Sequence, residues 1–354
     1  MWLISSSIGR KFVMAVTGVC LVLFVTFHCL MNSVAIFWPE AYNAICQFLG
    51  ANWYALVASM GLAALFILHI IYALWLTIQN RKARGNDRYA VNSRPPQVEW
   101  SSKNMLVLGI VVLAFLAVHM IQFWAKMQLQ ELISHELTAF PVVNGVPADP
   151  QYGTLFIQMA FSQWWTPVVY IIGFVALWFH MNHGFWSMFH TIGWDSNIWI
   201  ERLKKISCWW TSIVVLLFIA QAVVFTIKAN ENFYTTDSTL QEQYIEGLSE
   251  KAVEPVTEFM EAWQPLQQQA MYGNPAPAEA YIRTNGAAIL EKLEPVANAA
   301  QAIPAAANDT YLGTAIQIVN MLKERLQTPA AEGIDLNANP DEAAEAEPET
   351  ETNN

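Results

Sequence analysis

Seven histidines occur in this chain, and four of them, His28, His69, His119 and His180, fall one each inside long apolar runs. The stretch "LVLFVTFHCLMN", residues 21–32, shows the problem each one poses. Imidazole is polar, and in hydrocarbon its two nitrogens need a partner, either a neighbouring helix or a metal. Depth can be read from the helical rise of about 1.5 Å per residue. His28 lies 17 residues beyond Lys11, and His119 lies 16 beyond Lys103. His69 lies 16 residues beyond Trp53, and His180 lies 16 beyond Trp164, on runs of the opposite direction. His28 therefore pairs in depth with His119, and His69 with His180. Two imidazoles at one depth can ligate a flat macrocycle from both faces, and filling both axial positions suits a low-spin haem that carries electrons. Small residues (Gly18 near His28, Gly61 near His69, Gly109 near His119, Gly173 near His180) would give the rings room. Zinc is disfavoured because no carboxylate or thiolate accompanies either pair. The competing reading of such histidines is interhelical hydrogen bonding or a proton relay in a transporter.

The elements that position these residues follow from composition. Of the 354 residues, 55% are hydrophobic and 13% charged, a membrane composition. Five runs are long enough to cross a hydrocarbon core of about 30 Å: residues 12–37, 54–79, 104–125, 163–190 and 206–228. Arg10 and Lys11 precede the first; Arg81, Lys82, Arg84, Arg88, Arg94 and Lys103 lie between the second and third; Arg202, Lys204 and Lys205 precede the fifth. The alternate connections, 38–53 and 126–162, contain one basic residue, Lys126. The positive-inside rule then puts the N-terminus in the cytoplasm and everything after residue 228 outside. The His28/His119 pair falls in the outer half of the bundle and the His69/His180 pair in the inner half.

Charge divides the chain again. Residues 1–228 hold 13 Lys and Arg against 8 Asp and Glu, or +5, whereas residues 229–354 hold 5 against 21, or −16. The expected organisation is an all-α five-helix membrane domain over 1–228, an acidic outer extension of short helices over 229–327, and a disordered acidic tail over 328–354. The four cysteines show no C-x-x-C or C-x-x-C-H spacing, which argues against covalently attached haem. No phosphate-binding loop, dinucleotide fingerprint or nucleophile elbow occurs, and nothing points to nucleic acid.

Three stretches resemble a known family: "SIGRKFVMAVTGVCLVLFVTFHCLMN" at the start, "LHIIYALWLTIQNRKA" on the second run, and "WFHMNHGFWSMFHTIGW" on the fourth. The chain resembles, over residues 5–228, the single-chain di-haem cytochrome b (b558-type) membrane anchor of succinate:quinone oxidoreductases and quinol:fumarate reductases. The resemblance implies two haems b with His28, His69, His119 and His180 as axial iron ligands, the first paired with the third and the second with the fourth. Gly184 and Gly193 select His180 over His183, one turn on. The resemblance also implies menaquinone as the lipid-soluble partner, and FAD-bearing flavoprotein and iron–sulfur subunits docked at the cytoplasmic face of a bacterial inner membrane. Those partners would carry the dicarboxylate chemistry, so the chain is expected to be an enzyme subunit. The basic loops around Arg81–Arg94 and Arg202–Lys205 would suit docking or haem propionates. Two departures stand out: where some members have a quinol-site glutamate the chain has Tyr42, with Glu40 beside it, and Trp178 replaces a second glutamate. Glu40 is the expected proton acceptor for quinol, with Glu131, His135 and Glu136 as reserves, beneath aromatic walls of Trp38, Tyr42, Trp53 and Trp124. The anchor of another quinone-linked dehydrogenase, of formate dehydrogenase or hydrogenase type, is the nearest alternative.

Overall fold

The computed structural model describes residues 6–50, 52–84, 99–133, 137–194 and 196–328. Arg88, Arg94, His135, Glu136 and the acidic tail from residue 329 lie outside the described residues. Among the described residues the regular structure is helical apart from one hairpin of two two-residue strands, and five helices are long and apolar enough to cross a membrane. It divides into two units, one of Met1–His135 with Ala148–Tyr234, the other of Glu136–Pro147 with Thr235–Asn354.

In the first unit, α1 (Ser7–Phe37) is opened by Ser6, whose hydroxyl accepts from Gly9 N at 2.9 Å. It stops because Trp38 precedes Pro39, and a residue before proline is driven out of the helical region; Trp38 sits at φ −138°, ψ 76°. Pro39 then starts α2 (Pro39–Gly50) at the first helical position, where its missing N–H costs nothing. The second long helix, α3 (Trp53–Arg84), shows Val57, Met60, Ile67, Ile71, Leu74 and Ile78 along its exposed side, alternating three and four apart or in multiples, a lipid-facing stripe. The third, α4 (Trp100–His119), continues without a break into a π-helical turn, Met120–Trp124. A short α5 (Gln128–Ile133) and the fully packed α6 (Gly153–Phe161) follow in the next connection.

The fourth and fifth long helices are α7 (Thr166–Thr191) and α8 (Asn197–Asn230). Gly193, at φ +84°, closes α7 in a left-handed turn that lets Trp194 N reach Phe189 O at 3.0 Å. Polar groups join α8 to α1: Gln221 Nε2 donates to Cys29 O and Ser33 Oγ, each at 2.9 Å, and Lys228 Nζ caps the α1 carbonyl of Ile36 at 3.1 Å. The unit's chain ends at Tyr234, within the short α9 (Phe233–Thr236).

In the second unit, three long helices, α10 (Ser238–Met271), α11 (Ala276–Gln301) and α12 (Thr310–Gln327), replace the short helices expected over 229–327. Pro255, Pro265 and Pro295 lie inside these helices instead of ending them. The reason is packing: Leu240, Tyr244, Leu248, Ala252 and Val256 repeat every fourth residue and are all buried, so the core outweighs the lost hydrogen bonds. Asp237 and Asp309 cap α10 and α12. Residues 142–147 form a hairpin turning on Asn144 and Gly145, both at positive φ, and Tyr244 donates to Pro147 O at 2.7 Å. The boundary between the units thus follows Tyr234 and not residue 228, and part of the 126–162 connection belongs with the acidic extension.

Candidate metal centres in the membrane unit

The depth estimate places four imidazoles in two pairs, and α1, α3, α4 and α7 bring together those same pairs. The His28 and His119 rings lie 5.7 Å apart, centroid to centroid, with planes at 86°. The His69 and His180 rings lie 6.3 Å apart with planes at 69°. A metal bound end-on by two imidazole nitrogens at about 2 Å each puts the ring centroids roughly 6 Å apart. Both separations are close to that of such a bridge, and both also fall in the ordinary range of edge-on ring contact.

Second partners decide which nitrogen each ring offers. Thr17, 3% exposed, spends its hydroxyl hydrogen on the α1 carbonyls of Val13 and Met14, at 3.0 and 3.1 Å. His69 Nδ1, 3.2 Å from the same oxygen, must therefore donate to it, which leaves Nε2 as a bare lone pair. His119 Nδ1 meets the Tyr170 hydroxyl at 3.2 Å, and that hydroxyl donates to Gln122 Oε1 at 2.9 Å. His119 is thereby the Nδ1–H tautomer, again with Nε2 free. His180 Nδ1 is buried without a hydrogen-bond partner among the described residues, so no second partner fixes the tautomer of this ring. At His28, Asn32 Nδ2 stands 3.3 Å from Nε2 while making its shorter bond, 2.8 Å, to His28 O. Metal ligation there would displace only the longer contact.

His183 lies one turn on and is committed elsewhere. Its Nδ1 is 3.4 Å from Glu99 Oε2, and Lys204 reaches the other oxygen of the same carboxylate at 3.8 Å. The helix therefore gives His180, not His183, to His69.

The glycines are arranged differently from the expectation. A Cβ on Gly18 would lie 3.9 Å from His69 Cε1, and one on Gly109 would lie 3.6 Å from His180 Cε1. Both line the His69/His180 pair, not the histidines ten residues further along their own helices. Ten residues are about 15 Å of helix, so each glycine falls at the depth of the other pair. Gly173 likewise meets Phe115, not His180, and Gly61 meets nothing within 4 Å.

Around the His28/His119 end, Tyr42 is 8% exposed and donates to Asn32 Oδ1 at 3.1 Å, so it is packed inside and forms no surface wall. Burial holds its phenol well above the ordinary range and, with Glu131 nearby, pushes the Cys46 thiol up to about 11. Trp38, Trp53 and Trp124 are exposed, as aromatic residues at a membrane boundary are. Glu40 sits half-buried in the first turn of α2, whereas the Glu131 carboxylate lies against Gly50 at its other end. The two carboxylates are thus about 15 Å apart along the helix and do not share a site.

Thr17, Asn32, Gln122 and Tyr170 had no distinguishing signal, being single polar residues in apolar runs. Among the described residues no group of three or more His, Cys, Asp or Glu is placed to hold a metal ion. Two imidazoles alone suit a metal that brings its own in-plane donors, as a tetrapyrrole does. No family model matches the chain, and comparison with curated proteins and with solved structures returned no match.

Proposed function

We propose that the chain is the di-haem cytochrome b anchor of a succinate:quinone oxidoreductase or quinol:fumarate reductase in a bacterial inner membrane. The observation that carries the reading is the closure of His28 on His119 and of His69 on His180 at metal-bridging separations, in two levels of one apolar bundle. Bound haem b supplies one-electron chemistry at each level; the protein supplies two imidazoles, a dry surround and the polar groups that orient them. Thr17 and Tyr170 engage Nδ1 of His69 and His119, which leaves Nε2 as the nitrogen that would hold the metal. The basic helix ends, with Arg10, Lys11, Arg81, Lys82, Arg202, Lys204 and Lys205, face the cytoplasm in this reading and meet the flavoprotein and iron–sulfur partners. Menaquinone is handled at the opposite end, where Glu40 takes the proton that quinol must release.

The test is direct. Purified chain, extracted with acid acetone and assayed as the pyridine haemochrome, should yield two non-covalent haems b per polypeptide; zero or one overturns the reading. Co-purification of a flavoprotein and an iron–sulfur protein, with succinate or fumarate turnover on a menaquinone analogue, then separates this anchor from those of other quinone-linked dehydrogenases. A spectrum without haem leaves the histidines to a transporter.

A further inference from the structure

The π-helical turn that follows His119 has a purpose that the axial-ligand assignment alone does not supply. Ala125 N bonds Met120 O, five residues back, at 2.8 Å, so the turn is wider than the α-helix on either side. Such turns cost regular bonding and recur at functional sites. Here the turn carries Gln122, whose amide enters the interface with α7. Gln122 Nε2 donates to Thr166 Oγ1 at 3.1 Å, which orients Oε1 toward Tyr170; Tyr170 donates to Oε1 at 2.9 Å, and its oxygen faces His119 Nδ1 at 3.2 Å.

With the Gln122 amide placed to donate to Thr166, donation runs from His119 through Tyr170 and Gln122 to Thr166. Reversing it would make Tyr170 donate to Nδ1 and put the ring proton on Nε2, the nitrogen that a metal would need as a lone pair. Thr166 is 0% exposed and Tyr170 4%, so water does not compete. Phe115 and Phe161, each 5.1 Å from the Tyr170 ring, and Phe174 at 5.8 Å fix where the hydroxyl sits. Phe115 and Phe123 flank the imidazole itself. A hydroxyl that donates is a better acceptor, so Gln122 strengthens the pull of Tyr170 on the Nδ1–H. The other pair has a shorter arrangement: His69 bonds a threonine whose hydrogen ends on its own backbone, and His180 Nδ1 has no partner among the described residues.

We infer that Tyr170 and Gln122 are positioning residues that fix His119 as the Nδ1–H tautomer and raise the electron-donating strength of its Nε2, holding the reduction potential of the His28/His119 centre down. The inference rests on the di-haem reading. An Nδ1–H pulled by an acceptor makes the ring a stronger donor, which favours the oxidised metal.

The experiment is potentiometric titration of both haem components in membranes containing Tyr170→Phe and Gln122→Leu. Tyr170→Phe should shift the His28/His119 component to higher potential and leave the His69/His180 component unchanged. Gln122→Leu, which keeps the Tyr170 ring in place, should shift the same component in the same direction by less. Wild-type potentials in both variants overturn the inference, as does loss of that component in both, which would make the residues structural. If Tyr170→Phe alone loses the component, the Gln122→Leu shift decides: an upward shift supports the inference and none overturns it. A wild-type chain without haem refutes the di-haem reading itself, a distinct result.

Discussion

Replacing Gly173 by alanine tests how tightly the wall of the His28/His119 pair is packed. The new Cβ would stand 2.6 Å from Phe115 Cδ2 and 2.8 Å from Phe115 Cβ, against a preferred carbon–carbon separation of about 3.5–4.0 Å. Phe115 must therefore retreat by roughly 1 Å. It has little room, with Tyr170 at 5.1 Å, Phe174 at 5.4 Å and the His119 ring at 6.1 Å, centroid to centroid. Overpacking of this kind costs about 1–3 kcal/mol. Alanine also gains about 0.5–1 kcal/mol over glycine inside a helix. Gly61→Ala supplies that gain alone, because a Cβ there meets nothing within 4 Å. The helix term cancels between the two variants, so Gly173→Ala should be about 1–3 kcal/mol less stable than Gly61→Ala. Thermal melting of both proteins in one detergent, followed by far-ultraviolet circular dichroism, measures the gap. Equal melting temperatures would refute the packing argument.

Three other outcomes are expected. His28→Ala and His119→Ala should each remove the same haem component, and His69→Ala and His180→Ala the other, while His183→Ala leaves both; loss of a component in His183→Ala would move the ligand by one turn. Glu40→Gln should abolish quinol-linked turnover with both haem signals and partner assembly intact, and full turnover would remove Glu40 from the mechanism. Burial raises the Cys46 thiol from 9.0 to about 11, so between those pH values the unfolded chain releases a proton that the folded chain keeps. The Cys46 contribution to stability is accordingly complete below pH 9 and lost as pH rises toward 11; Cys46→Ser should flatten that part of a melting-against-pH curve, and an unchanged slope would count against it.

The histidine pairing was legible because helical rise converts residue number into depth, and four apolar runs with charged or aromatic ends supply the ruler. The same ruler, applied to Gly18 and Gly109, would have placed both beside the other pair; judging them by nearness along the sequence hid this. Tyr170, Gln122 and Thr17 were not legible, since a single polar residue in an apolar run does not say which neighbour it faces. The three long helices after Thr235 were obscured by Pro255, Pro265 and Pro295, which outweigh the four-residue repeat from Leu240 to Val256 when local preference is read alone. The hairpin at Asn144 and Gly145, by contrast, carried an ordinary turn signal inside a stretch treated only as a connection.

Gly18 and Gly109 stand at the level of one histidine pair, and His28 and His119, ten residues on, stand at the level of the other. Two helices thus give the same vertical spacing, about 15 Å. That is roughly half of a 30 Å hydrocarbon core. A unit charge crossing the whole membrane exchanges about 2.3 kcal/mol with each 100 mV of transmembrane voltage. If each level holds a haem, as proposed, an electron passed between them crosses half the field, and its equilibrium shifts by roughly 1.2 kcal/mol per 100 mV. In an energised cell the distribution of electrons between two such centres would therefore follow the membrane voltage, by about sevenfold for every 100 mV.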